Sequence, residues 1–195
     1  MARLAYPRYP GCMTPDWRTF PGPLPQRDGN QAVWRGGLVG CGALSAACLL
    51  RHHATRLGVP LPDRDALAEQ LAAAQGAFRL PLPQGPRATW PWAWLTGLNT
   101  YLDGQHLPLR ARGRWGLHLH APLTAHLDCL FSAGLPVIGF EFSAREQHYG
   151  LLSAYAPGPD LPARLHVDGS CLHLAPRTGL GGVFWIEAAG VSSAS

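Results

Sequence analysis

At 195 residues the chain is sized for one domain with a core of its own. Apolar residues make up 47% and charged residues 14%, a balance that excludes a disordered chain. All 16 basic residues are arginine, the net charge is only +4, and no basic run occurs, so the composition argues against a nucleic-acid partner despite a pI near 9.0.

In chain order, residues 1–30 read as an extended, proline-rich arm, with Pro7, Pro10, Pro15, Pro21, Pro23 and Pro25. Prolines at that density cannot hold a helix and leave few donors for a sheet. Tyr6, Tyr9, Trp17 and Phe20 predict that the arm packs along the surface of the domain that follows. Residues 31–195 show no repeat and no low-complexity linker, which predicts a single folded domain. A glycine-rich lead, Gly36-Gly37-Leu38-Val39-Gly40, runs into Cys41 and an alanine-rich apolar segment. That segment predicts a helix to about Arg56, stopped by Gly58-Val59-Pro60. Pro62-Asp63-Arg64-Asp65 opens a second helix, Ala66 to about Gln75. After a Pro/Gly-rich loop, Thr89 or Trp90 caps a third helix with Pro91 early in it, closed by Asp103-Gly104. The second half is strand-rich: an edge strand at Leu107–Arg112, a helix at Pro122–Ala133, then strands at Leu135–Phe142, His148–Tyr155, Ala163–Asp168 and Val183–Glu187. Helices first and strands afterwards in one compact chain predict an α+β fold.

The five cysteines, Cys12, Cys41, Cys48, Cys129 and Cys171, contain no CxxC pair, which speaks against a zinc ribbon or a thioredoxin-type motif. Cys41 and Cys48 are seven apart on one predicted helix, about 10 Å along its axis, too far for a disulfide. The N-terminus has no basic region followed by an apolar stretch, and no apolar run reaches ~20 residues, so neither a signal peptide nor a membrane span is expected. A reduced, cytoplasmic protein is the resulting expectation. His166, Asp168, Cys171 and His173 are metal-capable but lack the paired spacing of a structural zinc site, and neither a metal nor another cofactor is expected.

Cys41 is the residue with chemistry in its placement. A thiol in the first turn of a helix sits among unsatisfied N–H groups at the positive end of the dipole, which favours the thiolate. A base and an orienting acid are available downstream. Ala156-Pro157-Gly158-Pro159-Asp160-Leu161-Pro162 is turn material. A hairpin symmetric about Gly158 places His148 and Asp168 opposite each other, with Cβ atoms about 4.5–5.5 Å apart. In such a set Cys41 attacks an acyl carbon, His148 moves the proton, and Asp168 fixes the imidazole. The oxyanion is then held by the Cys41 N–H and a side-chain amide upstream, for which Gln31 is the first candidate and Asn30 the second.

Cys41-Gly42-Ala43-Leu44-Ser45-Ala46-Ala47 resembles the nucleophile segment of bacterial papain-like peptidases related to the bacteriocin-processing, double-glycine leader peptidases. Ala133-Gly134-Leu135-Pro136-Val137-Ile138 resembles the strand that precedes their histidine. His148-Tyr149-Gly150-Leu151-Leu152-Ser153-Ala154-Tyr155 resembles the histidine strand, and His166-Val167-Asp168 the terminal acid. The resemblance spans Gln31 to Asp168. It implies a papain-like α+β fold, with an N-terminal nucleophile helix packed on a small antiparallel sheet, and acyl transfer through a thioester on a peptide or other amide. The sequence departs from that pattern in Ala43, where Pro is usual, in Gly169, where Pro is frequent, and in Arg35, where the amide is expected. The residues leave three readings open: a cysteine peptidase or amidase, an acyltransferase or transglutaminase-like enzyme with the same triad, and a peptidase-like domain that binds without turnover.

Overall fold

The computed structural model describes residues 16–25, 33–34, 37–38, 40–79, 87–117, 120–143, 147–166 and 169–190. Its elements, in order, are β1 (Arg18–Thr19), β2 (Val33–Trp34), β3 (Gly37–Leu38), α1 (Cys41–Leu57), α2 (Arg64–Ala74), β4 (Phe78–Arg79), β5 (Arg87–Ala88) and α3 (Pro91–Gly104). There follow β6 (Leu109–Gly116), α4 (His120–Ser132), β7 (Val137–Phe142), β8 (Gln147–Tyr155), β9 (Pro162–Leu165), β10 (Cys171–His173) and β11 (Leu180–Ala188). The protein is α+β: N-terminal helices pack on an antiparallel sheet of order β10-β9-β8-β7-β11-β6, with β1 added along β8.

The period-2 alternation of the strands decides which residue meets which layer. Ile138 and Phe140 of β7, Tyr149 and Leu151 of β8, and Phe184 and Ile186 of β11 share a core with α1, α2 and α3. Their neighbours Val137, Leu152, Val183 and Trp185 share a second core with Leu123, Leu127, Leu130 and Phe131 of α4. α1 is buried on every side from Gly42 to Leu50, which suits a helix that is apolar all round and sits between other helices and a sheet. It ends at Gly58, whose left-handed φ of 66° lets the chain turn while Gly58 and Val59 donate to the carbonyls of Thr55 and Ala54. α2 is capped by the Asp63 carboxylate, which accepts from the N–H groups of Asp65 and Ala66. α3 begins with Pro91 at its first position. It crosses α2 at Gly97, where a Cβ would stand 2.5 Å from the carbonyl oxygen of Ala74. Only a residue without a side chain permits that approach.

The arm's described part, residues 16–25, runs along the domain. Four successive non-proline residues, Trp17 to Phe20, retain their donors, so β1 pairs with Tyr155 and Ala154 and Phe20 donates to Ser153. Phe20 packs edge-on against Phe131, and Arg18 reaches Asp128, which also accepts from Tyr155. β6 and β11 run longer than their sequence signals, each to or past a glycine. The short β10 had no signal of its own.

Candidate active site

Gly40 precedes α1 with φ 93°, a conformation that favours glycine, and delivers the chain directly into Cys41 at the first helical position. The first turn is fixed from two sides. The indole N–H of the fully buried Trp94 donates to the Gly42 carbonyl at 2.9 Å, and Thr89 lies against Gly42.

On the other side α1 meets β8 at a place where the sheet is incomplete. β9 pairs with β8 from Tyr155 to Leu152, and its end is marked by His166 donating to the Leu151 carbonyl. Two residues further along β8, the N–H of Tyr149 donates to Cys41 Sγ at 3.4 Å, and the Tyr149 carbonyl accepts from Ser45 Oγ at 3.4 Å. Cys41 and Ser45 are one helical turn apart on one face. α1 therefore takes the position of a strand at this point and occupies both backbone groups of Tyr149. An N–H aimed at sulfur favours the thiolate, as does the helix start.

The same contact brings Cys41 to the residue that follows His148. Both Cys41 and His148 are half-buried, open enough for a reactant to reach. The other described cysteines differ: Cys48 is buried, whereas Cys129 and Cys171 are exposed, and the partial desolvation that the Cys171 thiol still meets raises its pKa despite nearby Arg164. The Tyr149 hydroxyl donates to the Thr89 carbonyl at 2.9 Å. Its pKa is raised, mainly by burial and further by the charge of Cys41. The ring thus stays neutral as a wall between α1 and the loop before α3.

Of the other sequence-derived site residues, Asp168, Gln31 and Asn30 lie outside the described residues. The hairpin expected to carry Asp168 has a different register from the symmetric one. Ala154 faces Arg164, where symmetry about Gly158 would give Pro162. An irregularity between Leu152 and Ala154 then shifts the pairing by one residue, so that Leu152 faces Leu165. The strand ends at Leu165, three residues before the expected terminus, because the Leu165 N–H turns to the Ser170 carbonyl and Gly169 donates back to Leu165.

Glu141 is not among the site residues expected from the sequence. It lies directly opposite His148 in the β7–β8 ladder and is buried, at 3% exposure. Its carboxylate accepts from Ser143 Oγ and from the His173 N–H, each at 2.7 Å, with His173 Nδ1 at 3.4 Å. Burial opposes its ionisation, but those hydrogen bonds outweigh it and hold the carboxyl below its usual range. The signal was present as a single acid inside the apolar run Val137-Ile138-Gly139-Phe140-Glu141-Phe142. Among the described residues no group of three metal-capable side chains is gathered as a metal site, and no helix is long and apolar enough to cross a membrane. No model of a known protein family matches the chain, and neither does any curated protein.

Proposed function

We propose that this protein is a cysteine-dependent acyl-transfer enzyme of papain-like type, a peptidase or amidase with Cys41 as nucleophile. The observation that carries the proposal is the Tyr149 N–H to Cys41 Sγ bond. It sets a half-buried thiol at a helix start beside the strand residue next to His148. In this reading the thiolate attacks the carbonyl carbon of a peptide or other amide, and the C–N bond breaks as the amine leaves with a proton from His148. Water then adds to the thioester, gives up a proton to His148, and expels the thiolate with the acid product. Asp168 orients the imidazole. The Cys41 N–H and Gln31 receive the oxyanion. A thiolate nucleophile persists in a reducing compartment, which makes the cytoplasm the expected location.

Iodoacetamide labelling between pH 5 and 10, read by peptide mass spectrometry, tests the proposal. Cys41 is expected to alkylate at pH 6 roughly 100-fold faster than Cys129. Equal rates at both residues, each rising only above pH 8, would overturn it.

A further inference from the structure

The far half of α1 borders a cavity toward the opposite end of the helix from Cys41. Its walls are Arg51, His52, Thr55 and Arg56 of α1, Arg64 at the start of α2, and Leu24 and Pro25 of the N-terminal segment, with Cys48 also lining it. Its volume is about 450 Å³, within the ~300–1,000 Å³ of small-molecule sites. Because the chain has no lysine, arginine as such carries little information. The convergence of three arginines on one cavity, with no acidic side chain among its described lining residues, does. Asp65 engages Arg64 Nε at 2.6 Å, so among the described residues about two positive charges, those of Arg51 and Arg56, are not compensated at the cavity. Arg51 donates one N–H to the Pro62 carbonyl at 2.8 Å, which fixes its stem and, among the described residues, leaves the other guanidinium donors available. The carbonyls at the end of α1 would repel an anion, but those of Thr55 and Ala54 are already occupied by Gly58 and Val59.

We infer that this cleft binds a phosphorylated small molecule, whose phosphate is taken by Arg51 and Arg56 while its apolar portion lies against Leu24 and Pro25. A phosphomonoester dianion matches the uncompensated charge, which a single carboxylate leaves half satisfied. The planar guanidinium fork matches the spacing of phosphate oxygens. The positive field also reaches the neighbouring histidines. His52 titrates below its usual range, chiefly from burial and further from the charge of Arg56. The site is independent of the chemistry proposed for Cys41.

Isothermal titration of the full chain with inorganic phosphate and with phosphoserine, at ionic strength matched by sodium chloride, tests the inference. Saturable binding of both is expected, about tenfold or more weaker in R56Q and in R51Q, with acetate binding far more weakly. Arg56 is exposed, so R56Q is the variant expected to keep the wild-type melting temperature. Amide chemical-shift mapping of the wild-type protein supplies a readout that needs no variant, with perturbations expected at Thr55, Arg56 and Leu24. Binding that acetate or chloride matches, affinity unchanged in R56Q, or shifts confined elsewhere would each overturn the assignment.

Discussion

The two ends of α1 present opposite electrostatics on one element. At its start, Cys41 and Ser45 are turned inward onto the backbone of Tyr149, and the amide end of the helix favours a negative charge on sulfur. At its far end, Arg51 and Arg56 are turned outward into a cleft, while His53 is enclosed at 7% exposure. No hydrogen-bond partner for His53 Nε2 occurs among the described residues. At one end an N–H is aimed at a sulfur; the other keeps permanent charge at the rim of the cleft and an enclosed, neutral imidazole on the same helix. A buried helix can therefore carry two unlike chemistries provided each sits at a terminus, where backbone groups and solvent are within reach.

The largest effect expected from perturbing this contrast is at His148. In the proposed mechanism His148→Ala removes the imidazole that would stabilise the thiolate, and alkylation of Cys41 at pH 6 should then slow by about 10²–10³ while the rate near pH 10 stays close to that of wild type. A pH titration of the labelling rate measures both limits.

At the other end, burial, helped by His52 and Arg56, pushes the pKa of His53 down to about 4, from a usual 6.5. Its folded value lies below its unfolded value, so the unfolded chain binds more protons between those pH values. Stability that is fully present above pH 6.5 should fall by at most about 3 kcal/mol as the pH drops to 4. Urea denaturation of wild type and of His53→Gln across that range should show the slope in the first and a flatter profile in the second.

Ser45→Ala strips the donor from the Tyr149 carbonyl while leaving the thiol. About 1 kcal/mol of stability should be lost in urea denaturation. Smallest of all, Arg56→Gln should change stability by no more than ~0.5 kcal/mol, whatever it does to phosphate binding.

The helices were readable because their ends carry local chemistry. Gly58-Val59-Pro60 stops α1, Asp63 caps α2 with its own side chain, and Pro91 starts α3. β7 and β8 were readable from apolar runs of strand length. The end of β9 was not, because it depends on a competition between elements distant in sequence. α1 occupies the edge of β8 at Tyr149, and the irregularity near Ser153 moves the register before β9 turns away at Leu165. Cys41 and His148 could be picked out by type and position, yet the contact that joins their neighbourhoods is a backbone N–H, which every non-proline residue possesses. Glu141 was hidden for a related reason. Its significance rests on the cross-strand pairing with His148, and a run of apolar residues does not disclose which acid faces which base.

The Tyr149 N–H gives the molecule a built-in reporter. Its proton is shared with Cys41 Sγ, so its resonance and its exchange with deuterium should track whether that sulfur is anionic, protonated or alkylated. The state of the Cys41 thiol can thus be followed from a single backbone amide, without a substrate.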